Sequence, residues 1–188
     1  MNFNGKYGKL VFAAVVATLS GIAIPNPTHA KPPFGGPADT SYASNLWKAL
    51  VSAHLVGPNT IISYPYKGRP PHGKYLEMMK SNVTVRGRDG TVLVKKNYGG
   101  KDIDDEDILE NHAKFLKSIT VMFKREAGYD PKDKDWFWVK YAPNGSILKN
   151  PKGMSLAGRV AKGASKGCIA CHSIAPGGDF VYNHVKIK

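Results

Sequence analysis

The chain of 188 residues has only two cysteines, Cys168 and Cys171. Two thiols cannot make a disulfide-stapled scaffold or a four-cysteine zinc ribbon. No apolar run reaches the roughly 20 residues that a membrane span needs. Acidic side chains are scarce, 14 against 27 Lys and Arg, so the formal charge is +13. No nucleic-acid motif accompanies that charge, so nucleic acid is not expected as a partner. A basic surface of this kind suits an acidic redox partner or anionic lipid, or is simply solvated. There is no internal repeat, and no methionine follows Cys171.

What is present begins with an export signal. Lys6 and Lys9 precede an apolar run from Leu10 to Ile24, and Thr28-His29-Ala30 follows with small residues at either end. A basic segment, a short apolar core and a small-x-small site predict a signal peptide over 1–30, cleaved after Ala30, rather than a retained anchor. Export places the protein in the periplasm. Without Lys6 and Lys9 the remaining 158 residues carry +11, and their number suits one domain. Residues 31–39, rich in Pro and Gly, read as a flexible lead-in, and 40–188 as the domain itself.

The two cysteines stand in Cys168-Ile169-Ala170-Cys171-His172. Cys-x-x-Cys-His is a c-type haem attachment signature. Two thiols on one turn can reach the vinyl groups of one porphyrin edge, and the next residue offers its imidazole to the iron. A redox Cys-x-x-Cys does not require the histidine, and a disulfide across two residues is rarer. The spacing therefore predicts one haem c on Cys168 and Cys171, with His172 as iron ligand.

Elsewhere the patterns predict an α+β domain, an antiparallel sheet with flanking helices. Leu46, Trp47, Leu50, Val51 and His54 recur at helical spacing, with Thr40 or Ser41 as cap. Thr60–Tyr64 reads as a short strand, and Lys74–Ser81 as a helix. Val83–Val85 and Thr91–Lys95 flank Arg88-Asp89-Gly90, a hairpin signal. By alternation Val92 and Val94 share one face, Leu93 and Lys95 the other. A helix over Asp102–Lys117, strands at Ile119–Phe123 and Trp136–Tyr141, a weak helix over Leu156–Gly167 and an edge strand at Phe180–Tyr182 complete the reading.

The late motif bears on the sixth ligand. The methionines at 78, 79, 122 and 154 all lie upstream, so a five-coordinate iron with an open face is expected. An open iron binds or transforms small molecules, whereas a filled one passes electrons. Met154 and His54 are the candidate donors for a filled site. Glu77, Glu126 and His72 are candidate proton-handling groups, and Phe115, Phe123, Phe137 and Trp138 candidate pocket walls.

Four patches carry a family resemblance: Pro71-His72-Gly73, Asp89 to Tyr98, Asp135 to Tyr141, and the haem run continuing to Gly178-Asp179-Phe180-Val181. Together they resemble the cytochrome P-460 family. The resemblance implies a periplasmic, homodimeric haem c protein, mostly sheet, that oxidises hydroxylamine to nitrous or nitric oxide. It implies also a catalytic lysine bonded to the porphyrin edge, which falls on Lys95. The family often has Glu after that lysine, and here Lys96 stands there. A related protein, cytochrome c-prime-beta, lacks the cross-link and binds nitric oxide beneath apolar rings. Three functions follow for testing: hydroxylamine oxidation, nitric oxide binding, and plain electron transfer with a redox partner cytochrome.

Overall fold

A computed structural model describes Met1, Asn2 and residues 33–182. The signal peptide predicted for 1–30 lies outside the described residues, apart from Met1 and Asn2. The described residues 33–182 belong to one compact unit. No helix among the described residues is long and apolar enough to cross a membrane.

The fold is α+β, as expected: a six-stranded antiparallel meander whose spatial order follows the chain. Its strands are β1 (Tyr66–Lys67), β2 (Tyr75–Val85), β3 (Arg88–Tyr98), β4 (Leu116–Lys124), β5 (Trp136–Tyr141) and β6 (Ala157–Gly158). Among the described residues four α-helices accompany them: α1 (Pro37–Ser52), α2 (Asp105–Glu110), α3 (His112–Phe115) and α4 (Cys168–His172).

The two faces of the sheet bury different groups. Val92 and Val94 of β3, Ile119, Val121 and Phe123 of β4, and Phe137 and Val139 of β5 pack under α1. Leu46 and Leu50 of α1 are fully buried there, each contributing about 1.5–3 kcal/mol of burial. On the other face Leu93, Met122, Trp136 and Trp138 pack with Ile169 of α4 and with Phe34 and Phe180. The alternation of Val92 and Val94 against Leu93 and Lys95 is thus the division between the two cores.

Several elements depart from the sequence reading. α1 begins at Pro37, not at Thr40 or Ser41. Proline suits the first helical position, where its missing N–H costs nothing. Phe34 just before it is buried, so the described part of the lead-in packs on the domain. Lys74–Ser81 is strand, not helix. Its Leu, Glu, Met and Lys favour helix intrinsically, but β2 pairs with β3 along all eleven residues. The hairpin is real, yet its turn is Arg86-Gly87, both at positive φ (53° and 76°). That is the geometry of a two-residue primed turn, and Asp89-Gly90 lie within β3.

Thr60–Tyr64 forms no strand. Its Ile61 carbonyl and Ser63 N–H are bonded instead by the Lys96 and Glu77 side chains. The helix expected over Asp102–Lys117 is broken at Asn111, whose side chain caps α3, while an Asp104–Asp107 capping box starts α2. Leu156–Gly167 is not helical: Ala157 and Gly158 pair with β5, and Gly158, Ala161 and Gly163 take positive φ. Phe180–Tyr182 is irregular, its polar groups being used at the site described next.

Candidate haem site

The haem motif forms the short helix α4, in which the Cys171 N–H donates to the Gly167 carbonyl. Helical spacing puts Cys168, Cys171 and His172 on neighbouring positions of one face. Cys168 is half-buried against the second core, and burial pushes its thiol pKa up. Cys171 is exposed and lines a cavity of about 1190 Å³ with His172.

The His172 ring is held on three sides. Trp138 stands nearly perpendicular to it at 4.9 Å between ring centres, and Tyr182 at 5.4 Å. The Tyr182 hydroxyl donates to the Cys171 carbonyl at 2.8 Å. Nδ1 of His172 lies 2.7 Å from the Phe180 carbonyl. A carbonyl only accepts, so Nδ1 carries the proton and Nε2 keeps a lone pair. Burial, foremost, lowers the His172 pKa, which favours the neutral ring that a metal needs.

Lys95 comes to the same cavity from β3. It is 9% exposed, and burial lowers its pKa. Its strand partners are Met78 on β2 and Thr120 on β4. Lys96 points the other way, as alternation requires. It is 1% exposed, 3.2 Å from the Glu77 carboxylate, and donates to the Ile61 carbonyl at 2.6 Å. Tyr98 donates to the other Glu77 oxygen at 2.8 Å. Two adjacent lysines thus have separate surroundings: Lys96 is paired with a carboxylate, and Lys95 has no carboxylate partner among the described residues.

Of the three proton-handling candidates, only His72 reaches the cavity. Glu77 is locked in the Lys96–Tyr98 network on the opposite face. Glu126 pairs with Arg125 and Arg88, and its bond with Arg125, foremost, holds its pKa down to about 2. Among the described residues no carboxylate lines the cavity. Of the candidate walls, Trp138 abuts His172, whereas Phe123 and Phe137 lie in the core beneath α1 and Phe115 packs near Tyr98 and Ile108. His54 is exposed beyond the end of α1. Met154 packs against the second core, away from the cavity lining.

The sequence reads Pro65–Gly73 as a loop, but nothing in it signals that this loop lines the cavity. Residues 66–71 line it with Leu76 and Met78, and Lys67 and Arg69 are exposed cations at its rim. The Pro-Pro-His-Gly run marks the loop, but no periodicity places it. Gly73 explains its placement: a Cβ there would overlap the backbone of Tyr98, so only glycine lets the loop lie this close to β3.

The donor set fits a c-type haem. Two thiols share a helical face with an imidazole whose Nε2 is free, beside a cavity of sufficient size. Among the described residues no group of three or more His, Cys, Asp and Glu could hold a metal unaided. A metal at His172 therefore has to arrive with donors of its own, as porphyrin nitrogens provide. Residues 73–183, more than half of the chain, match the family model described as Cytochrome P460. No curated protein and no solved structure matches the chain.

Proposed function

The chain belongs to the cytochrome P460 family, and on that premise we propose that it is a periplasmic mono-haem c protein that oxidises hydroxylamine to nitrous or nitric oxide. The observation that carries this reading is Lys95: a buried amine with a lowered pKa on the same cavity as Cys171 and His172. Burial disfavours the charged form of Lys95, and the neutral form of an amine is the nucleophile, which suits the bond to a porphyrin edge that the family resemblance implies.

The residues divide the work. Cys168 and Cys171 tether the porphyrin, and Nε2 of His172 ligates the iron. Lys67 and Arg69 at the rim suit the porphyrin's carboxylates by charge. When bound, haem supplies an iron that takes a small nitrogen compound and accepts its electrons. Leu76, Met78, Pro70 and Pro71 give the cavity apolar lining. Electrons leave to a redox partner, and the basic surface selects an acidic one. A homodimer, expected from the resemblance, belongs to the same proposal.

Nitric oxide binding without turnover is the second reading. It is favoured by a cavity without a carboxylate among the described residues, since hydroxylamine oxidation must release protons. Lys95→Ala separates the two. Loss of an unusual, red-shifted Soret band together with hydroxylamine turnover supports oxidation; an unchanged spectrum and unchanged activity contradict it.

A further inference from the structure

We propose that the surface around Cys171 is the docking site of an acidic electron-carrier protein, with Ile174 at its centre and Lys140 and Lys166 beside it. The inference rests on the haem reading above and names the face through which electrons leave. Of the two cysteines, Cys168 is half-buried against the second core, whereas Cys171 is exposed. Cys171 is therefore the attachment point nearest solvent. Electron transfer between proteins slows steeply with distance, so a partner that approaches there has the shortest path.

The chain presents an apolar side chain at that point. The Ala175 N–H donates to the His172 carbonyl at 3.0 Å and closes a turn over 172–175. Ala175 is buried, and the Ser173 hydroxyl donates to the Ala170 carbonyl at 2.8 Å. The turn thus holds Ile174 outward, 78% exposed, more than any other large apolar residue within 33–182. A lone exposed isoleucine means little. This one stands three positions from Cys171, among cations.

The charge around it is of one sign. From Trp136 to Gly178 the chain has no Asp or Glu and six cations: Lys140, Lys149, Lys152, Arg159, Lys162 and Lys166. Arg159 and Lys162 are used internally, on Asp130 and Asp133. Lys140 and Lys166 have no carboxylate partner among the described residues. Lys140 is close enough to Cys168 to act on its thiol, and the exposed Lys166 precedes Cys168 by two positions. Six of the 14 acids lie instead within 102–110, around α2, which packs in a separate core with Tyr75 and Tyr98. An acidic protein is steered toward the first region and away from the second. A lipid surface would meet the same cations, but it needs no redox group beneath it. One electron passes from the reduced holoprotein to the carrier's oxidised metal. No bond forms or breaks, and no proton moves.

The test mixes dithionite-reduced holoprotein with oxidised plastocyanin, an acidic blue-copper protein, by stopped flow at low salt. The rate is expected to fall as salt rises. Lys166→Glu is expected to slow it about fivefold, as when one attractive pair roughly 8 Å apart in water turns repulsive. Lys48→Glu makes the same charge change on α1, which packs on the other face of the sheet, and is expected to leave the rate nearly as it is. Ile174→Ser is expected to weaken calorimetric binding of redox-inert, zinc-substituted plastocyanin with the haem spectrum unchanged. Equal slowing by Lys48→Glu and Lys166→Glu would show only net charge at work and overturn the docking site. A rate independent of salt, or zinc-plastocyanin binding unmoved by Ile174→Ser, overturns it too. So does unchanged transfer in Lys166→Glu, and loss of that variant's binding to phosphatidylglycerol vesicles would then assign the surface to lipid. Neither readout uses hydroxylamine or the Lys95 bond, so failure of the hydroxylamine reading and failure of the docking site are distinguishable.

Discussion

His172 donates from Nδ1 to the main-chain carbonyl of Phe180 across 2.7 Å, and this bond decides which ring nitrogen remains available. The acceptor sits at a residue with φ of 61°, in a tail pinned from the sheet: Trp136 Nε1 donates to the Asp179 carbonyl at 3.0 Å. Lys124 lies 4.2 Å from the centre of the Trp136 ring and pairs with Asp179 at 2.9 Å. The orientation of the iron ligand thus depends on β4 and β5, not only on its own helix.

Trp136→Phe removes that donor while keeping an aromatic ring. The expected loss is about 1 kcal/mol for the hydrogen bond, read as a lower urea midpoint with unchanged slope. The haem absorption bands should broaden, because the Phe180 carbonyl is less well held. A changed midpoint with an unchanged spectrum would show that the tail does not orient His172.

The Glu77–Lys96 pair is buried to within 1% on both sides. Removing one partner leaves a buried charge unmatched and costs about 3–5 kcal/mol. Glu77→Gln and Lys96→Met should each fall in that range by chemical denaturation, while Glu77→Leu with Lys96→Met recovers most of the loss. Unlike Lys95→Ala, Lys96→Met should leave the haem spectrum as it is wherever haem is retained.

Alkaline pH should unfold the protein through its tyrosines. Burial raises the pKa of Tyr98, Tyr129 and Tyr141 well above 10, with Tyr42 and Tyr66 raised as well. Folding favours their neutral form, so this contribution is intact below pH 10 and is lost as pH rises from 10 toward the folded values. Tyrosinate absorbance is expected to rise together with the loss of near-ultraviolet circular dichroism. A gradual titration near pH 10 in the folded protein would contradict this.

Two glycines should respond differently to alanine. At Gly87 nothing lies within 4 Å of the added methyl, and only the positive φ of 76° is penalised, by about 1–2 kcal/mol. At Gly73 the methyl meets the Tyr98 backbone, so the loop carrying His72 must move. Gly73→Ala is expected to alter the haem absorption spectrum, because the loop lines the cavity, and Gly87→Ala only the thermal midpoint.

The sequence carried the outline of the site because its chemistry is local. Cys168, Cys171 and His172 are contiguous, and Lys95 was oriented by simple alternation against Val92 and Val94. The α+β class and β5 were legible for the same reason, in runs whose period matches their structure. What escaped was set by distant contacts. Lys74–Ser81 has the composition of a helix and became strand by pairing with β3. Glu77 looked like a free acid until Lys96 and Tyr98 enclosed it. His72 gained meaning only when the loop was laid beside His172, which lies a hundred positions later in the chain.

The decisive observation is the mass of the haem-bearing peptides released by proteolysis of the purified holoprotein. The account predicts one species in which haem joins the Cys168–Cys171 peptide to the peptide containing Lys95. Haem on the cysteines alone would contradict the hydroxylamine reading in favour of nitric oxide binding or electron transfer, and cysteines without haem would contradict the account as a whole.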